Sequence, residues 1–145
     1  MAISNLKVGM VCGKLSDPEI CAETNDIQVT GEGRCVFVGK VIPCTWYGYS
    51  FDYQSNGKPV KLQCNSTSSV PVNEGNPREL IKASSQYGEF ELELTGDSSH
   101  FVNPLYSGSN SSFRDAIKTT SCSYKGKEIF SYKVTLHYPG GPGTP

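Results

Sequence analysis

Asp97, Ser98, Ser99 and His100 carry the letters of a nucleophile, base and acid in one consecutive run. In a working set, a histidine takes the proton of a serine hydroxyl while a carboxylate holds the imidazole. Geometry makes such a set, and adjacent residues rarely point at one another. A polar turn after a strand is the plainer reading. Glu89, Glu91 and Glu93 offer a second chemistry. On one strand face, neighbouring residues of such a stripe lie roughly 6.5–7 Å apart, a separation glycosidase carboxyl pairs also use. Glycosidase pairs flank a cleft from different elements, however. Three glutamates alternating with Phe90, Leu92 and Leu94 read as the solvated face of an amphipathic strand, or as a guard against edge pairing. Gly31-Glu32-Gly33 lacks the third glycine of a dinucleotide fingerprint and reads as a hairpin turn between 27–30 and 34–38. No catalytic residue is assigned, and a non-enzymatic protein is expected.

The six cysteines, Cys12, Cys21, Cys35, Cys44, Cys64 and Cys122, form no Cys-x-x-Cys pair. Structural zinc prefers close Cys or His pairs, and His100 and His137 lie in different segments. No metal and no cofactor is therefore expected. An even count at wide spacing reads as three disulfides, which persist in oxidising compartments. Cys35–Cys44, Cys12–Cys21 and Cys64–Cys122 are the expected pairs. The expected location is secreted or periplasmic. The N-terminus, Met1-Ala2-Ile3-Ser4-Asn5, is no signal peptide, so a leader removed from the mature form is expected.

Thirteen basic residues against fourteen acidic ones leave a formal charge of −1. A nucleic-acid binder usually shows a basic footprint, so none is expected. No apolar stretch reaches the ~20 residues of a spanning helix, so no membrane insertion is expected.

The elements that must position these groups are strands. Short apolar runs alternate with Gly, Asn and Ser turns. The clearest is 129–138, where Phe130, Tyr132, Val134, Leu136 and Tyr138 alternate with polar residues. Others are expected at 6–12, 27–30 and 89–95. Asn56-Gly57 predicts a hairpin over 45–65, pairing Tyr53 with Val60, Phe51 with Leu62 and Tyr49 with Cys64. It sets Asp52 opposite Lys61. Gly39-Lys40 predicts a second hairpin, with Cys35 directly opposite Cys44. In that register Pro43 occupies a hydrogen-bonded site and removes a ladder bond. Capping signals at Asn76-Pro77-Arg78-Glu79 and Ser112-Phe113-Arg114-Asp115 predict two short helices. The expectation is a single mainly β domain over 1–138: an antiparallel β-sandwich or barrel, disulfide-stapled, with two short helices in its connections. A disordered Gly/Pro tail follows at 139–145.

Aromatic residues give the one positive lead to function. The run 45–53 is dense in rings, and the hairpin face makes Tyr49, Phe51 and Tyr53 core. Trp46 lies on the other face. Two positions are open to it: packed on the Cys35–Cys44 bridge, or exposed over a glycine gap at Gly48. Trp46, with Tyr87 and Tyr106 as loop aromatics, is the expected binding surface for a protein or glycan. The alternatives are an inhibitor of a secreted hydrolase, presenting a loop at 103–108, and a small carboxylate-based hydrolase. Asn65-Ser66-Thr67 and Asn110-Ser111-Ser112 are glycosylation triplets that matter only in a glycosylating source.

Overall fold

Alternation along β12 (Lys127–His137) is reproduced in burial: Phe130, Tyr132, Val134 and Leu136 are buried between outward Ser131 and Lys133. β9 (Tyr87–Leu94) obeys the same rule, with Phe90, Leu92 and Leu94 inward. The structure, a computed structural model, describes residues 1–14, 16–37, 39–54, 56–69, 74–75, 80–83, 87–108 and 114–139. The remaining strands are β1 (Ile3–Cys12), β2 (Glu19–Glu23), β3 (Asp26–Gln28), β4 (Gly33–Phe37), β5 (Lys40–Tyr53), β6 (Val60–Ser68), β7 (Glu74–Gly75), β8 (Leu80–Ala83), β10 (His100–Gly108) and β11 (Ala116–Tyr124). One sheet runs β2-β1-β5-β10-β7, with β4 also on β5; the other runs β3-β12-β11-β6-β9-β8. Their apolar faces share one core, in which Tyr49 and Phe51 of the first sheet meet Phe130 of the second. The architecture is therefore a sandwich. Pairing is antiparallel except where β3 runs parallel to β12.

Three disulfides are present: Cys12–Cys21, Cys35–Cys44 and Cys64–Cys122, leaving no free cysteine. Each lies within one sheet. Cys64 and Cys122 are register partners on β6 and β11, with Cα atoms 4.1 Å apart.

The Asn56-Gly57 hairpin does not form. Tyr47, Tyr49, Phe51, Tyr53, Leu62 and Cys64 are buried, so the inward face is the expected one. The partners differ: β5 pairs with β1, β4 and β10, and β6 with β9 and β11. β5 ends at Tyr53 in one sheet and β6 begins at Val60 in the other, so the chain changes sheets between them. Two strands with apolar faces bury more area facing each other across a core than lying side by side. Gly96 sits on the crossing, where a Cβ would fall 2.6 Å from the Gly57 carbonyl carbon. Asp52 accordingly meets Asn5 and His100, and Lys61 lies opposite Glu93.

The β4–β5 hairpin forms two residues out of the expected register. Phe37 pairs with Lys40, Cys35 with Ile42 and Arg34 with Pro43. A two-residue loop closes on a hydrogen-bonded pair, so Arg34/Pro43 and Val36/Val41 fall at non-hydrogen-bonded sites. Pro43, which has no N–H to give, decides the register. The disulfide then joins a diagonal pair whose Cα atoms are 6.0 Å apart.

Three further expectations are corrected. Residues 27–30 and 34–38 form no hairpin, because β3 and β4 belong to different sheets. Residues 103–108 are no loop but part of β10, between β5 and β7. No helix occurs among the described residues. Residues 76–79 and 112–113 lie outside them, and the segments those caps would start, Leu80–Ala83 and Ala116–Tyr124, are strands. A cap marks a start only, and a short helix without a packing face is marginal. Ile117, Thr119 and Thr120 favour the strand instead. The tail at 139–145 lies outside the described residues apart from Pro139.

Candidate functional site

Trp46 and Tyr106 are register partners on β5 and β10, with ring centroids 5.1 Å apart. Their neighbours Tyr47 and Leu105 point into the core, so both rings stand on the outer face. The Trp46 indole Nε1–H donates to the Arg34 carbonyl at 3.1 Å. The Tyr106 hydroxyl donates to the Val36 carbonyl at 3.1 Å. Both carbonyls belong to the non-hydrogen-bonded sites of β4, so they point away from β5 and are open to these donors. Trp46 is half-buried. Its seat is Gly33, where a Cβ would fall 3.1 Å from the indole Cδ1. Gly48 is no gap beneath it, because Val11 Cγ2 would lie 3.3 Å from a Cβ there.

The rings thus brace a hairpin. Its register pair Val36 and Val41 is 64% and 70% exposed. Between Gly33 and Phe51 there is no carboxylate, while Arg34 and Lys40 are exposed. Trp46→Phe and Tyr106→Phe each remove one brace. A net hydrogen bond is worth about 0.5–1.5 kcal/mol. Amide exchange in β4 is expected to quicken by about tenfold in either variant, with β12 unchanged. Equal exchange in β4 before and after would contradict the bracing role.

Tyr87 stands apart, on β9 of the other sheet. Its hydroxyl donates to Glu89 Oε1 at 2.6 Å, a bond that opposes loss of the phenolic proton and raises its pKa. Glu91 accepts from Gln63 Nε2 at 3.0 Å. Glu91 and Glu93 are exposed, so the stripe is a solvated face. Among the described residues β8 covers β9 at Gly88–Phe90 only, so Glu89 is paired over while Glu91 and Glu93 lie beyond the β8 contact.

The run 97–100 is a turn leading into β10. Ser98 Oγ donates to the His100 carbonyl, and the Ser99 carbonyl accepts from the Tyr53 N–H. The His100 ring turns away to Asp52, with Nδ1 2.7 Å from Oδ1. Its Nε2 lies 3.8 Å from Glu19. Asn5 Nδ2 donates to the other Asp52 oxygen at 2.8 Å. Bonds from Asn5 and then His100 hold the Asp52 carboxyl below its usual range.

His137 bridges Asp26, 3.0 Å from Nε2, and Asp115, 2.9 Å from Nδ1. Hydrogen bonds to Asp26 and Asp115 outweigh burial and raise the imidazole pKa. A raised folded-state pKa stabilises fully below the unfolded value of about 6.5 and is lost as pH rises through the folded value. Thermal stability is therefore expected to fall as pH climbs above that value, and His137→Asn should flatten the slope. The contribution should be no more than about 1 kcal/mol, because Asp26 is largely exposed. An unchanged slope in the variant would contradict the bridge.

In both histidines each ring nitrogen faces a different carboxylate, so the two acids sit on opposite sides of the ring. Among the described residues no group of three His, Cys, Asp or Glu side chains is placed to hold a metal.

Sequence reasoning missed the exposed Val36/Val41 pair. The signal was there: five apolar residues and one charge lie between Cys35 and Cys44. The His100–Asp52 contact, 48 positions apart, had no local signal.

No family model matches the chain, and no curated protein does. The N-terminal domain of PorA is similar at 12% identity and a TM-score of 0.45, over 94% of this chain and 99% of that one. An immunoglobulin-like protein from Pseudomonas aeruginosa is similar at 9% identity and a TM-score of 0.47, over 94% and 95%. Likeness this distant says nothing of what the chain binds.

Proposed function

We propose that this chain is an exported, non-enzymatic binding module whose contact element is the β4–β5 hairpin with its Trp46–Tyr106 brace. The observation that carries the reading is the exposed Val36/Val41 pair on a hairpin closed by a disulfide and clamped by two rings. Exposed apolar groups on a rigid element support contact with a partner, and a pre-ordered element loses little entropy on binding. The occupant is the apolar cleft of another protein with an acidic rim. Valine side chains suit an apolar wall, and Arg34 and Lys40 complement carboxylates beside it. Three disulfides are consistent with an extracellular or periplasmic location.

Val36→Ser combined with Val41→Ser tests this. Exposed substitutions usually shift stability by no more than about 0.5 kcal/mol, so the fold should persist. Binding to the cognate partner should weaken by about tenfold or more. Unchanged affinity would remove the hairpin from the interface.

A second reading, an inhibitor of a secreted hydrolase, is favoured by the same hairpin in place of 103–108. Stoichiometric loss of protease or lysozyme activity on mixing would support it.

A further inference from the structure

Of eight asparagines, only Asn56 is followed by glycine. Asn56, Gly57, Lys58 and Pro59 are exposed and belong to no strand. We propose that Asn56 is a self-modification site, which the folded chain converts, with no enzyme, to aspartate and isoaspartate. The proposal rests on none of the hairpin's observations.

The reaction needs one main-chain nitrogen and one side-chain carbonyl carbon. The Gly57 nitrogen loses its proton to hydroxide and attacks Asn56 Cγ. The new N–C bond closes a cyclic imide as the Cγ–Nδ2 bond breaks. Nδ2 leaves as ammonia, taking a proton from water and restoring the hydroxide. Water then adds to either imide carbonyl. Opening at Cγ gives aspartate. Opening at the main-chain carbon gives isoaspartate, whose chain runs through Cγ. One water is consumed, one ammonia is released, and nothing is oxidised or reduced.

The local structure favours closure. Gly57 has no side chain to crowd its nitrogen. The Lys58 N–H donates to Asn56 Oδ1 over a long 3.4 Å. That bond folds the side chain forward over the next peptide, as in an Asx turn, and draws electron density from Cγ. Gly96 packs against the peptide that follows: a Cβ there would fall 2.6 Å from both the Gly57 carbonyl carbon and the Lys58 nitrogen. The main chain after the reacting nitrogen is therefore held, and closure has few groups left to order. Asn65 is the contrast. It is also exposed, but Ser66 follows it, and its strand pairs with β11 and β9 on either side. The ladder fixes the peptide that would have to turn. At Asn56 the product adds one acid to fourteen against thirteen basic residues, so the formal charge goes from −1 to −2.

The test is timed incubation of the intact folded chain, with peptide mapping by mass spectrometry and ion-exchange chromatography. Asn56 should exchange NH₂ for OH at least about tenfold faster than Asn65, because only its groups are free to meet. The rate should rise about three- to tenfold per pH unit, since the attacking amide must first lose a proton. Both acids should be found at position 56, and an acidic ion-exchange peak should grow. Asn56→Gln, at an exposed position, should fold and form that peak at least about tenfold more slowly, because its longer side chain closes a larger ring. The same chain, reduced, alkylated and unfolded in guanidinium chloride, should convert Asn56 within about threefold of the folded rate, if the fold leaves the site open. An unchanged Asn56, a peak that grows equally in Asn56→Gln, or conversion at least about tenfold slower in the folded chain than in the unfolded one would each overturn the proposal.

Discussion

Phe51→Ala is expected to cost about 3–5 kcal/mol, the range for an aromatic side chain deleted from a packed core. For a chain of this length, that corresponds to a fall in Tm of about 10–16 °C. Phe51 is fully buried and touches Tyr49, Tyr53, Phe101 and Phe130. Phe101 comes from β10 beside it, and Phe130 from the opposite sheet. One deletion therefore opens a cavity at the seam of the sandwich, where rigid rings collapse poorly. Ile117→Ala, at an exposed site on β11, should change stability by no more than about 0.5 kcal/mol. Calorimetry of the two variants decides the point. A loss below about 1 kcal/mol at Phe51 would mean the sheets do not meet there.

Removing Cys64–Cys122 should cost more than removing either other bridge. It closes a separation of 58 residues, against 9 for Cys12–Cys21 and 9 for Cys35–Cys44. Chain-entropy reasoning gives about 4 kcal/mol for the long loop and about 2.5 kcal/mol for each short one. The long bridge is also buried, so alanines leave a small void beside Phe90 and Phe130, their register partners. Denaturant melts of the three paired Cys→Ala variants give the order directly. Equal losses would mean that the unfolded chain does not set the cost.

The strands of this fold were legible because alternation is local. Phe130 to Leu136, and Phe90 to Leu94, face inward as their spacing requires. Which strand lies beside which was not legible, because period two names a face and not a neighbour. The aromatic face of β5 and the apolar face of β6 were identified correctly and still assigned to one ladder, when they look at each other across the core. Asn56-Gly57 is permissive of a tight turn, and Gly57 does take φ +83°. A crossing between sheets uses the same freedom. At Pro43 the conflict in the expected register was itself the clue, since a slip of two residues places the missing N–H where no bond is required.

The candidate site divides in the same way. Trp46 and Tyr106 were read as surface aromatics, and the structure makes them register partners. Tyr87 was grouped with them because sequence gives no distance between segments. The rings also proved to be supports: their polar atoms are engaged by β4, and the exposed apolar surface lies on the hairpin they hold. His100 and Asp52 come together only through the β5–β10 ladder.

The central claim, that the braced hairpin is the contact element, is tested most directly by site-specific photocrosslinking in the cells that make the protein. A photoreactive residue replaces Val41 in one variant and Ile117 in another, both exposed apolar positions. A discrete adduct from position 41, absent from position 117 and lost when Val36→Ser is added, is the predicted result. The same adduct from both positions, or none from position 41 while the protein is folded and present, would contradict it.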